Sequence, residues 1–314
     1  MAINFWLAQE RAKKRTRWMV ILFIALTLFV SALIDIAFRT FFETYDGSSF
    51  PYAALLFSGI TLLVALFNYS KYLSIGGAYV AETVGAFKVH PKGDSPKERM
   101  LMNIIQEMSI ATTLPVPEVY ILENEQINAF AAGTSPENAA ICVTTGALNK
   151  LSRDELQGVI GHEYGHIYNH DMKLSMKLSA MLMGFYFIFY IAFKIFQFNS
   201  YARDSRLGGG LVVALILLVG GSLSYFAGKI LSSMVSRERE FLADASAVQF
   251  TRNPDGLIGA LKKIEKEVDR TEMPKTGLAF NHLYFDHHTL IGLFATHPSI
   301  AKRIAALEGK TYEP

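Results

Sequence analysis

The sequence predicts an α-rich membrane protein: four transmembrane helices plus a mixed α+β domain with a small β-sheet. Three observations predict it. Apolar residues make up 51% of the 314 residues and charged ones only 18%, against ~25% charged in soluble domains. The apolar excess gives a mean hydropathy of +0.25 and is gathered in blocks rather than spread along the chain. Between and after those blocks lie short strand-like runs and amphipathic stretches, one of which carries His162-Glu163-Tyr164-Gly165-His166.

The blocks Trp18 to Ile34, Gly47 to Ser70, Leu178 to Phe193 and Leu207 to Gly228 contain no charged residue. A spanning helix needs ~20 mostly apolar residues, with a range of ~17–25. The first, second and fourth blocks reach that length. The third does so if Lys177 and Lys194, which bound it, snorkel toward the interfaces. Spans are therefore expected near 18–38, 50–70, 177–197 and 208–230. They divide the chain into a basic N-terminus (1–17), a first hairpin (18–70), a first domain part (71–175), a second hairpin (176–235) and a second domain part (236–314). The first block is not expected to be a cleavable signal, because its exit through Asp35, Ile36, Ala37, Phe38 and Arg39 lacks a small-residue cleavage pattern.

Basic residues set the orientation. Arg11, Lys13, Lys14, Arg15 and Arg17 precede the first span, which puts the N-terminus in the cytoplasm. Lys71, Lys88, Lys92, Lys97 and Arg99 follow the second span, and Arg237 and Arg239 the fourth. Both domain parts are thus expected on the cytoplasmic side. Arg203 and Arg206 in the loop of the second hairpin run mildly against this pattern. The net charge of +2 suggests no nucleic-acid partner. A single cysteine, Cys142, excludes an internal disulfide and reads as a small buried strand residue.

Within the domain, Met100, Ile104, Ile105 and Met108 have helical spacing over Lys97 to Ser109. Pro115 and Pro117 punctuate the chain before a strand at Glu118 to Leu122. Two further strands are expected at Asn128 to Ala132 and Ala139 to Thr145, joined through Gly133, Ser135 and Pro136. Ser152 and Glu155 form a capping box that opens the next helix, whose Leu156, Val159 and Ile160 turn inward. Beyond the fourth block come helices at Ser236 to Ala247 and Leu257 to Arg270, a loop rich in aromatic residues and histidine from Phe280 to Phe294, and a closing helix at Ser299 to Leu307.

His162 and His166 stand one helical turn apart, so both imidazoles can reach one metal ion. Glu163 beside them is near enough to activate a water held by that metal. A catalytic zinc has three protein ligands, and Glu240 is the expected third. Asp244 follows it at i+4, on the same helix face. One of the pair can then ligate while the other holds a ligand histidine through its second ring nitrogen. Glu238 lacks an acidic partner at that offset and points ~200° away around the helix.

These residues, taken together, resemble the gluzincin metallopeptidases, and the fuller context resembles the bacterial HtpX-type membrane proteases and the related CAAX prenyl proteases. The matching pieces are Asn128-Ala-Phe-Ala-Ala-Gly133, Thr144-Thr-Gly146, Asp154-Glu-Leu156, the histidine helix through Asp171, Ser236-Arg237, Arg239-Glu240-Phe241, Ala243-Asp244, and His297-Pro298 with Arg303. Four blocks favour the HtpX type, since the prenyl proteases have more spans. The resemblance implies a gluzincin-type zinc endopeptidase of membrane-protein quality control in the bacterial cytoplasmic (inner) membrane. It would carry one zinc per chain, with Glu163 as general base and Glu240 as third ligand.

On that reading Asn128, Ala129, Phe130 and Ala131 belong to an edge strand that pairs with an extended substrate backbone. His297 is expected to help stabilise the oxyanion, with Arg303 supporting it. His170 and Asp171 read as helix-capping groups or as supports for a ligand rather than ligands, and His282, His287 and His288 as loop residues without a role. His166 precedes Lys177 by 11 residues, so an unbroken helix would hold it ~17 Å from the third span. The expected partners are protein or peptide substrates, chiefly unstructured cytoplasmic regions of membrane proteins, and the lipid bilayer. Two other readings are a transporter whose histidines bind metal as cargo and a catalytically silent scaffold with a structural metal. The first lacks an intramembrane ionisable cluster, and the second has no use for Glu163.

Overall fold

A computed structural model describes residues 5–42, 50–201, 208–268 and 299–309. Along the chain these form α1 (Phe5–Phe41), α2 (Tyr52–Ile75), α3 (Gly77–Thr83), β1 (Phe87–Lys88), α4 (Pro96–Thr112), β2 (Glu118–Leu122) and β3 (Ala129–Ala132). A 3-10 turn (Pro136–Asn138) precedes β4 (Ala140–Thr144), followed by α5 (Thr145–Lys150), α6 (Arg153–Tyr168), α7 (Asp171–Tyr201), α8 (Gly208–Thr251), α9 (Pro254–Val268) and α10 (Ile300–Leu307). The chain divides into two units, Met1–Tyr69 with Lys177–Ser232 and Ser70–Met176 with Ser233–Pro314.

The first unit, among the described residues, is built of helices. Among the described residues, Val20–Phe41, Tyr52–Ile75, Asp171–Phe198 and Gly210–Ile230 are each long and apolar enough to cross a membrane. Their outer faces carry exposed Leu28, Phe29, Leu63, Leu66 and Val219, a surface suited to hydrocarbon rather than to water. Inside, Val30, Ile34, Phe57 and Ile188 pack together, and Phe23 stacks on Phe185 with ring centroids 4.6 Å apart. Gly184 lets two helices approach closely, since a Cβ there would lie 2.5 Å from the Thr61 carbonyl oxygen. Buried hydroxyls find acceptors on their own helices: Thr27 bonds the Phe23 carbonyl at 2.9 Å and Thr61 that of Phe57 at 2.8 Å. Asp35 accepts from Arg39 Nε at 2.7 Å and from the Ala53 and Ala54 amides at 3.2 and 3.4 Å. It thereby satisfies N–H groups that the start of α2 leaves without an intrahelical acceptor.

The second unit centres on a four-stranded sheet in the order β1-β2-β4-β3. β2 and β4 run parallel, while β1 and β3 flank them antiparallel. β3 is therefore an edge strand. Val119, Ile121, Ile141, Val143, Ala129 and Ala131 share one face and pack with Leu101, Ile104 and Ile105 of α4 and Leu156, Val159 and Ile160 of α6. Tyr164 closes this core by donating to the Ile105 carbonyl at 2.9 Å. Gly77 at the start of α3 meets the sheet so closely that a Cβ would sit 2.2 Å from the Ala132 carbonyl oxygen.

Several elements differ from the sequence expectation. α3, β1 and α5 were not anticipated, and the segment expected as a helix at Ser236 to Ala247 is the end of the single 44-residue α8. The helix carrying the histidines does not run unbroken to Lys177. It stops at Asn169, and His170 takes a left-handed φ of 57° before α7 begins at Asp171. The Phe280 to Phe294 loop lies outside the described residues.

Candidate metal centre

α6 is built to deliver two histidines against another helix. Its start is fixed by the expected capping box: Ser152 N donates to Glu155 Oε2 at 2.7 Å, and Glu155 N to Ser152 Oγ at 3.3 Å. On one face it is stripped to Gly161 and Gly165, which lie against Ala247 and Ala243 of α8. A Cβ at Gly165 would come within 2.9 Å of the Ala243 backbone. This glycine-on-alanine contact is what brings side chains of the two helices to one point.

Donor atoms of His162, His166 and Glu240 all lie within 4.8 Å of one another. His162 Nε2 is 3.1 Å from His166 Nε2 and 3.5 Å from Glu240 Oε2, and His166 Nε2 is 3.6 Å from Glu240 Oε1. Two zinc bonds of ~2.0–2.1 Å at a tetrahedral angle span ~3.4 Å. The three separations bracket that value, and two imidazoles with a carboxylate make a donor set zinc accepts. The residues thus fit a metal ion.

Each histidine has a carboxylate behind it. His162 Nδ1 lies 2.8 Å from Asp244 Oδ1, which puts its proton on Nδ1 and turns the Nε2 lone pair toward His166 and Glu240. His166 Nδ1 lies 3.4 Å from Asp171 Oδ2. Each carboxylate in turn meets an arginine. Arg303, buried in α10, forks onto Asp244 through Nε at 2.9 Å and Nη2 at 2.6 Å, and its Nη1 approaches Glu240 Oε2 at 3.5 Å. Arg239 Nε lies 3.3 Å from Asp171 Oδ1, and its Nη1 donates to the Asp171 carbonyl at 3.3 Å.

The electrostatics follow from this packing. Burial would raise the Asp244 carboxyl, but the Arg303 guanidinium and the His162 hydrogen bond outweigh it and hold the group at about 2. Burial and Arg303 oppose charge on His162, yet its hydrogen bonds to Asp244 and Glu240 prevail in the metal-free site and push it up to about 9. Glu163, 3% exposed, is raised above the ordinary carboxylate range by burial, with partial relief from both histidines. The Ala131 amide of β3 hydrogen-bonds its carboxylate.

Of the residues singled out by sequence, His162, Glu163, His166, Glu240 and Asp244 come together here. Arg303 joins them on Asp244; the residue it was expected to support, His297, lies outside the described residues, as do His282, His287 and His288. Asn128 is buried beside the strand rather than in it. Its amide N donates to Thr144 Oγ1 at 2.9 Å and its Oδ1 accepts from the Ala129 amide at 2.8 Å. Ala129, Phe130 and Ala131 lie in β3, the edge strand. His170 is exposed at the helix break, whereas Asp171 sits behind His166. Two features escaped sequence reasoning. By sequence Arg239 is one of the basic residues after the fourth block and part of the matching pieces, with no role at the site assigned to it. The glycines spaced i, i+4 across the H-E-x-x-H were the other.

Residues 95–311 match the model of peptidase family M48. Among curated relatives, the protease HtpX homolog of Thermoanaerobacter pseudethanolicus is 36% identical over 262 residues, 81% of this chain and 85% of that one. The HtpX homolog of Listeria monocytogenes is 35% identical over 276 residues, 78% and 90% of the two chains. That of Levilactobacillus brevis is 35% identical over 224 residues, 68% and 74%. Among solved structures, S. mikatae Ste24p aligns over 97% of this chain and 67% of that one, with a TM-score of 0.48 and 16% identity. The extent of the family match and the identities to the HtpX homologs establish that this chain belongs to peptidase family M48, as a multi-pass, HtpX-type membrane metalloprotease.

Proposed function

We propose that this chain is a zinc endopeptidase in which His162, His166 and Glu240 hold the metal and Glu163 is the general base. The observation that carries the reading is the convergence of those three donors within 4.8 Å, with the buried Glu163 carboxylate on the same turn of α6. When bound, zinc supplies a Lewis acid that polarises the scissile carbonyl and makes water more acidic. Glu163 takes a proton from the attacking water and passes it to the leaving amine as the C–N bond breaks. Its raised pKa suits both halves of that task. Asp244 keeps His162 oriented, and β3, as an edge strand, is proposed to align an extended substrate along Asn128, Ala129, Phe130 and Ala131.

The substrates proposed are unstructured cytoplasmic loops and tails of membrane proteins, cleaved in quality control. Support comes from the four apolar helices and from the basic residues beside them, whose distribution favours a cytoplasmic position for residues 71–175 and 236–314. On this reading the protein sits in the bacterial cytoplasmic membrane.

The test is cleavage of unfolded casein by the full chain in detergent, wild type against Glu163→Gln, with the zinc content of both measured. Expected is equal zinc and proteolysis lower by ~10²–10⁴-fold in the variant. Unchanged proteolysis removes Glu163 as base. A wild type that holds zinc and cleaves nothing favours the scaffold reading.

A further inference from the structure

The geometry points to Asp171 and Arg239 as a positioning pair for His166, the counterpart of Asp244 and Arg303 on His162. The inference rests on the zinc reading above and extends it to residues outside the ligand set. Asp171 stands behind His166, with Oδ2 3.4 Å from Nδ1. Its other oxygen faces Arg239 Nε at 3.3 Å, and its backbone carbonyl accepts from Arg239 Nη1 at 3.3 Å. Asp171 is 6% exposed, so few groups other than His166 and Arg239 can reach its carboxylate, and both of them do. From the Arg239 side, Asp171 is thus held by one contact to its carboxylate and one to its main chain.

The placement in the chain gives this pair its purpose. α6 ends at Asn169, and His170 turns the chain through a left-handed conformation. His166 therefore belongs to the last turn of a helix, where side chains are least restrained by neighbours. His162, one turn earlier, is 1% exposed, while the side chain of His166 is 18% exposed. The less enclosed ligand is the one that needs an external hold on its ring. Arg239 supplies that hold from α8, from the position directly before the third ligand, Glu240. A purely structural strut between α7 and α8 would not require a carboxylate oxygen directed at the Nδ1 of a ligand.

The experiment uses the full chain in detergent and measures zinc affinity by competition with a chromophoric chelator, alongside thermal unfolding of the zinc-free form. The variants are Asp171→Ala, Asp171→Asn, Arg239→Gln, Arg239→Lys and the double variant Asp171→Ala/Arg239→Gln. Expected is a zinc affinity weaker by ~10–100-fold for Asp171→Ala. Asp171→Asn keeps the shape and an acceptor oxygen, so it should fall between that variant and the wild type. Arg239→Gln should weaken binding in the same direction, with Arg239→Lys recovering part of the loss. The double variant should be no weaker than Asp171→Ala alone, because Arg239 acts through Asp171. Zinc affinities within twofold of wild type for all variants overturn the inference, even where unfolding temperatures fall, since that pattern is a strut alone. Failure of the wild type to bind zinc overturns the proposed function instead, and the two failures are read from different samples.

Discussion

Replacing Gly165 by alanine separates helix packing from ligand chemistry, because Gly165 has no side chain to offer a metal. In an ordinary helix interior the change stabilises by ~1 kcal/mol. Here the new Cβ would lie 2.9 Å from both the Ala243 Cα and its carbonyl oxygen, and 3.2 Å from Ser246 Cβ. Carbon atoms rest at ~3.5–4.0 Å, so α6 and α8 must part by roughly 0.6–1.1 Å at this point. Two of the three opposing atoms are backbone and cannot swing aside. Such overpacking costs ~1–3 kcal/mol, which reverses the usual sign. The consequence for the metal centre is larger, since ligand distances tolerate only ~0.2 Å and Glu240 rides on the helix that is displaced. Gly165→Ala should weaken zinc by about tenfold or more, the scale on which disturbed ligand support acts, and lower the unfolding temperature of the zinc-free protein. Gly59→Ala, with nothing within 4 Å of its Cβ, should leave zinc affinity unchanged. Chelator competition on both variants is the assay. A Gly165→Ala protein that binds zinc as tightly as wild type and is no less stable refutes the idea that the glycine contact sets the ligand geometry.

Arg303→Met removes one partner of a fully buried ion pair and should destabilise the zinc-free protein by ~3–5 kcal/mol, read as a lowered unfolding temperature. Pairing it with Asp244→Leu should recover part of that loss. The metal-free centre should also be pH-sensitive in a defined direction. His162 is raised from 6.5 to about 9, so the stability it lends the metal-free form is fully present below about 6.5 and is lost as pH rises through about 9. Zinc must displace that proton, so zinc affinity measured at pH 6.5, 7.5 and 8.5 should rise at each step, and a flat profile would contradict the assignment. Asp244, lowered from 3.8 to about 2, contributes above its ordinary pKa and loses that contribution only as pH falls through about 2. Asp244→Asn should therefore lower the unfolding temperature of the zinc-free protein at pH 5, and should also lower the His162 pKa, which the Asp244 hydrogen bond holds up against burial and Arg303. Cys142 is buried, and burial first and the nearby Glu163 second push its thiol up to about 12. It should resist N-ethylmaleimide in the native protein and react fully only after denaturation, as mass spectrometry will show.

What could be read from the sequence was whatever declares itself locally. Uncharged blocks mark the spans because each is a continuous property of ~20 residues. The capping box at Ser152 and Glu155 is complete within four residues, and the i+4 offset of Glu240 and Asp244 marks one helix face. The features that escaped depend on contacts distant in the chain or on the absence of a breaker. α8 was split in the reading because an apolar segment gives way to a charged one, yet no glycine or proline after Gly228 interrupts the helix. Conversely α6 ends at Asn169-His170 with neither residue type present, because His170 itself takes the left-handed φ of 57° that a glycine usually supplies, with its N–H on the Ile167 carbonyl at 3.1 Å. β1 is two residues long and exists only because β2 pairs with it. Arg303 was marked as useful but assigned to His297, since only the folded chain shows that its fork meets Asp244.

The order in which the metal-centre residues occur along the chain has a consequence for biosynthesis. His162 and His166 emerge from the ribosome before the apolar segments of α7 and α8, Glu240 and Asp244 after them, and Arg303 last of all. A nascent chain arrested before residue 240 contains the proposed base, Glu163, and two of the three clustered donors, but lacks Glu240. On the proposed ligand set, hydrolytic competence is therefore deferred until both apolar helices have been synthesised.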